Sequence, residues 1–79
     1  MASLITASGF GQEIRTPLAL HDLQTLVGGF IKFVDLTEGR MLVVQELAVK
    51  YQPVNKTASD LAGKPIHGDV VLCSGEEIE

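Results

Sequence analysis

Three stretches of this chain are apolar at almost every position: Phe30 to Leu36, Met41 to Val44, and Val70 to Cys73. Aromatic and β-branched residues dominate the first and last, and only Lys32 and Asp35 interrupt. Successive side chains of a strand point to opposite faces, so strands with this pattern are buried on both sides. The first two are joined by Thr37-Glu38-Gly39-Arg40, with glycine where a hairpin needs a positive φ, and read as a core hairpin. Any fold for this sequence must therefore cover both faces of a sheet. Few helical stretches are available to do so, and a second subunit is expected to supply one of the covers.

The remaining elements are shorter. Ser3 to Thr6 reads as a first strand, Ser8-Gly9-Phe10-Gly11 as a turn, and Gln12 to Thr16 as the return strand. Leu20, Leu23, Leu26 and Val27 fall on one helical face, and Gly28-Gly29 stops that helix. Its start lies either at Thr16-Pro17 or after an extended Leu18-Ala19. Leu47 to Gln52 alternates weakly and predicts another strand, stopped by Pro53. Asn55 or Thr57 caps a short helix, Ala58 to Ala62, ended by Gly63; Thr57 and Asp60 have capping-box spacing. Lys64 to Gly68 is a loop. The expected fold is α+β: a small, mostly antiparallel sheet of about five to six strands with two short helices. Residues 1–75 form a single domain, and the acidic end, residues 76–79, is expected to fray. No internal repeat or linker divides the chain.

Seventy-nine residues bury only roughly 60% of the unfolded surface, so stability is thin. Cys73 is the only cysteine, which rules out an internal disulfide. Hydrophobic residues make up 46% of the chain and mean hydropathy is +0.25, more apolar side chain than so small a core can hide. Exposed apolar patches mark association sites, so a homo-oligomer is expected, a dimer above other states, with another protein as a further candidate partner. Met1-Ala2-Ser3-Leu4 carries neither the basic segment nor the apolar core of a secretory signal. No apolar run nears the ~18 residues of a membrane span. A cytoplasmic protein follows as the expectation. Net charge is −4, and Glu76, Glu77 and Glu79 carry most of it, so the body of the chain is nearly neutral. Scattered lysines on such a body make no footprint for nucleic acid or for anionic lipid.

Candidates for chemistry are few. His67-Gly68-Asp69 sets an imidazole near a carboxylate, with Cys73 further along, but a thiol inside an apolar strand is a poor nucleophile. Two separated histidines and one cysteine lack any metal-ligand spacing, and His21 reads as helix surface. Gly9-Phe10-Gly11 lacks the third glycine and the lysine of phosphate loops. Lys32, Lys50 and Lys56 read as solvated. No enzyme activity, cofactor or metal is expected. One ligand site is entertained: Asn55, Lys56 and Thr57, where free N–H groups at a helix start and a lysine would meet an anion. The same three residues match the glycosylation sequon by chance.

Two motif-like stretches carry a resemblance. Leu23-Gln24-Thr25-Leu26-Val27-Gly28-Gly29-Phe30-Ile31 forms one; Pro53-Val54-Asn55, Ala58-Ser59 and Ile66-His67-Gly68-Asp69-Val70-Val71-Leu72 form the other. Together they resemble the DUF3846 family of small domains from phages and other mobile elements, over roughly residues 3–75. The chain departs from that pattern at Gln45-Glu46-Leu47 and at Leu20-His21-Asp22-Leu23, where the family tends to be more acidic. The resemblance implies an accessory protein of a phage, prophage or gene cassette, and brings no catalytic residue with it. The leading expectation is a non-enzymatic, self-associating interaction module; the alternative is a protein that binds or sequesters a nucleotide-type small molecule.

Overall fold

The structure, a computed structural model, describes residues 2–78. Five strands form one antiparallel sheet in the order β2-β1-β5-β4-β3. They are β1 (Ala2–Ile5), β2 (Gly11–Ile14), β3 (Ile31–Asp35), β4 (Arg40–Gln45) and β5 (Val70–Ser74). Two hairpins, β1–β2 and β3–β4, flank the last strand, which pairs with β1 on one side and β4 on the other. The α+β class and the antiparallel sheet are as the sequence indicates.

Three helices accompany the sheet: α1 (Leu20–Val27), α2 (Ala48–Tyr51) and α3 (Lys56–Ala62). Leu18-Ala19 is the extended lead-in to α1, and Asp22 accepts a hydrogen bond from the Ala19 N–H. α1 and α3 end at Gly28 and Gly63, as the sequence marks. The strand expected over Leu47 to Gln52 is instead the single turn α2. Its weak alternation is overridden by packing: Ala48 is buried, and Ala48 and Gln52 lie against Gly68. A Cβ on Gly68 would stand 3.3 Å from Gln52 and 3.4 Å from Ala48, and Gly68 has φ of +78°. Only glycine fits both conditions without strain.

The sheet has a core on each face. Val71 and Cys73 of β5 join Ala2, Leu18, Val43 and the α1 residues Leu23 and Val27. Val70 joins Ile5, Val34, Leu42, Val44, Ile66 and Ala58 of α3, with Leu72 packed against them. The second cover of the two-sided strands therefore comes from α3 and the Ile66 loop of the same chain, where another subunit was expected. Of the acidic end, Glu76, Glu77 and Ile78 lie within the described residues and Glu79 lies outside them. Gly75–Glu77 form a 3₁₀ turn, Ile78 pairs with Leu18, and the Leu18 N–H donates to the Glu77 carbonyl at 2.7 Å.

Candidate functional site

Asn55 is fully buried, and its side chain is fully engaged. Its Oδ1 accepts from the Ala58 N–H at 3.1 Å, which caps α3. Its Nδ2 donates to the carbonyls of Ile5 and Gly68, both at 2.9 Å. One amide thus fastens the end of β1, the start of α3 and the turn before β5. Lys56 and Thr57 are exposed on the first turn of α3. The three residues entertained as an anion site are therefore adjacent but differently employed. Asn55 has no donor left to offer a ligand, and its presence is explained by the bonds it makes.

His67, Asp69 and Cys73 are not brought together. The His67 Nδ1 pairs with the Gln52 carbonyl at 3.0 Å, beside α2. Asp69 accepts from the Ala7 N–H at 3.0 Å, at the β1–β2 hairpin. Cys73 lies in the α1-side core, where burial, helped by the charge of Glu77, pushes its thiol pKa up. Glu77 itself is held below the usual carboxylate range, first of all by the Ser74 N–H that it accepts at 2.9 Å. Among the described residues, no three His, Cys, Asp or Glu side chains are grouped as a metal would require. His21 is exposed on α1. No helix among the described residues is long and apolar enough to cross a membrane.

Two surface features adjoin the β3–β4 hairpin. A cleft of about 240 Å³ opens beside the β3–β4 hairpin, lined by Lys32, Val34 and Val44 of the hairpin and by Ala48, Lys64 and His67. Around the same hairpin stand large apolar side chains left in solvent. Phe30 is 73% exposed and Phe33 49%, and Leu47, Val49 and Tyr51 follow on α2 and its approach. The Glu46 N–H donates to the Phe30 carbonyl at 2.8 Å, which ties the approach to α2 to the start of β3. Phe30 and the residues leading into α2 thus lie at one end of the sheet, while Phe33 stands mid-strand opposite Val43. Composition announced the surplus; its location depends on β3 being an edge strand, which no local pattern encodes.

Comparison of the chain with family models, with curated proteins and with solved structures finds no match in any of the three. The resemblance to the DUF3846 domains rests on the quoted motifs alone.

Proposed function

We propose that this protein is a non-enzymatic interaction module that acts by associating with itself, and through that assembly with a protein partner. The observation that carries the reading is the set of large apolar side chains left exposed on and next to β3 and α2: Phe30, Phe33, Leu47, Val49 and Tyr51. Both faces of the sheet are already covered by the chain's own helices, so these residues are surplus to its core. Leaving several large apolar groups together in water is unfavourable by about 25 cal/mol per Å², and a partner surface removes that cost. An accessory role in a phage, prophage or gene cassette, and a cytoplasmic setting, belong to the same proposal on the strength of the resemblance and of the lone buried thiol. Sedimentation equilibrium over a wide concentration range tests it. A mass that rises with concentration toward a dimer supports the proposal; a monomer throughout overturns it.

A second reading, small-molecule binding, is favoured by the cleft, because Lys32, Lys64 and His67 could face an anion there. Its volume of about 240 Å³ is below the roughly 300 Å³ of ordinary ligand pockets, which ranks this reading second. Thermal shift with cyclic and linear nucleotides checks it, and no stabilisation at millimolar ligand dismisses it.

A further inference from the structure

The two edges of the sheet are not alike. β2 closes one edge with Gly11, Gln12 and Glu13 exposed and Pro17 close behind, a polar strand of the kind that discourages pairing, with the exposed Phe10 just before it. β3 closes the other with Ile31, Lys32, Phe33, Val34 and Asp35, so its apolar positions are interrupted by two exposed charges, and Phe30 stands just before it. Its backbone direction follows from the hydrogen bonds at its two ends. The Glu46 N–H donates to the Phe30 carbonyl, and the Leu36 N–H donates to the Arg40 carbonyl at 2.9 Å. Residues 30 and 36 therefore turn their backbone groups toward β4. Antiparallel alternation assigns the same direction to Lys32 and Val34, opposite Val44 and Leu42. Ile31, Phe33 and Asp35 then point their N–H and C=O groups away from the sheet, and no hydrogen bond found among the described residues uses them.

We propose that the occupant of this edge is a second copy of the same chain, paired β3 to β3 in antiparallel fashion about a two-fold axis through Phe33. This rests on the self-association proposed above and adds its geometry. A two-fold axis normal to the sheet keeps each face on its own side, so only outward residues can oppose outward residues. Centred on Phe33, each of the three finds a mate: Phe33 opposes Phe33 of the second copy, and Ile31 opposes Asp35 of the second copy in both directions. All the outward backbone groups are then bonded. On the other face Lys32 lies opposite Val34 of the second copy, and Phe30 opposite its Leu36, so no like charges meet and Phe30 gains an apolar neighbour. Sliding the copies by one pairing step toward the N-terminal end sets Lys32 against Lys32. Sliding them the other way leaves an outward residue unmatched. Cross-strand pairs of this sort decide register. Phe33 explains itself in the same way. It stands opposite the fully buried Val43 yet is half exposed, because its outer flank overhangs the edge.

The experiment combines assembly state with a cross-link, on the whole chain. Wild type and Phe33→Lys are compared by sedimentation velocity, with far-UV circular dichroism as the check on folding. Phe33→Cys and Lys32→Cys are oxidised under mild conditions and run on non-reducing gels beside wild type, whose Cys73 is buried. In the proposed register two Phe33 Cα atoms are about 5.5 Å apart, within disulfide reach, while two Lys32 Cα atoms are offset diagonally to about 7–8 Å and are beyond it. The expected results are a dimer for wild type, a folded monomer for Phe33→Lys, and cross-linking of Phe33→Cys at least about tenfold faster than of Lys32→Cys. A wild-type dimer that survives Phe33→Lys, or equal cross-linking of the two cysteine variants, overturns the edge geometry and leaves self-association standing. A wild type that stays monomeric overturns both.

Discussion

Asn55 does the work of several residues at once. Replacing it with alanine removes the α3 cap and strands the Ile5 and Gly68 carbonyls inside the protein. Each buried group left without a partner costs about 1–3 kcal/mol, and a domain of this length holds only about 4–12 kcal/mol in all. Asn55→Ala is therefore expected to lose about 3 kcal/mol or more in urea unfolding, and Asn55→Asp to lose at least as much, because a carboxylate would face two carbonyl oxygens. Equal stability of wild type and Asn55→Ala would contradict this account. Cys73 gives a prediction that depends on pH. Its folded pKa is raised above the ordinary 9.0 by burial, so the unfolded chain ionises first as pH rises. The stabilisation is whole below pH 9 and drains above it, until the folded thiol itself ionises. Urea midpoints measured from neutral pH to about pH 10 should fall further for wild type than for Cys73→Val, which has no proton to lose. Parallel curves would show that the thiol is not protected. Position 55 was readable as a cap, since an asparagine before a short apolar run is a common helix start. Its other two partners were not, because Ile5 and Gly68 reach it only once the sheet has formed.

At the scale of elements, the turn between β3 and β4 carries a cost that can be removed. Glu38 and Gly39 both have positive φ, 63° and 73°, as the primed hairpin turns demand. Glycine adopts that conformation freely, while a β-carbon at Glu38 is held there at about 1–2 kcal/mol. Asparagine tolerates the left-handed region better, and Asn-Gly is the favoured pair in such turns. Glu38→Asn should raise stability by about 0.5–1 kcal/mol with no change of fold, read as a higher urea midpoint at unchanged slope. A drop in the midpoint would mean that the Glu38 side chain has a compensating role. The neighbouring hairpin strands were legible because their apolar runs and the glycine between them are local signals. Leu47 to Gln52 was misread for the converse reason. Helix or strand there is decided by Ala48 and Gln52 packing on Gly68, a contact with a loop well ahead in the chain. The turn at the acidic end was equally hidden, because it is held by Leu18, a residue far back in the sequence.

For the molecule as a whole, the order of strands ties its two cores into one unit. β5 is the last strand in the chain and the central one in the sheet, and it sends alternate side chains to opposite faces. Val71 and Cys73 complete the core under α1, while Val70 and Leu72 complete the one under α3. Neither core can form without β5, and β5 has both its edges paired only when both hairpins are present. The sequence announced β5 as two-sided but could not place it, since its pairings with β1 and β4 join distant segments. Its central place predicts that the two faces unfold together. Val70→Ala and Val71→Ala each remove buried methyl groups, from opposite cores, at about 2 kcal/mol. Each should move the whole transition by a similar amount, with far-UV circular dichroism and amide-exchange protection on both sides of the sheet falling in step. If Val70→Ala loosened only the α3 side while α1 and its core kept their protection, the cores would be separable and β5 would not be the common element. A shared transition would in turn place the β3 edge on a rigid unit, because β3 is bonded to β4 and β4 to β5. A copy docking on that edge then meets a preformed strand and does not have to order one, which lowers the entropy cost of pairing.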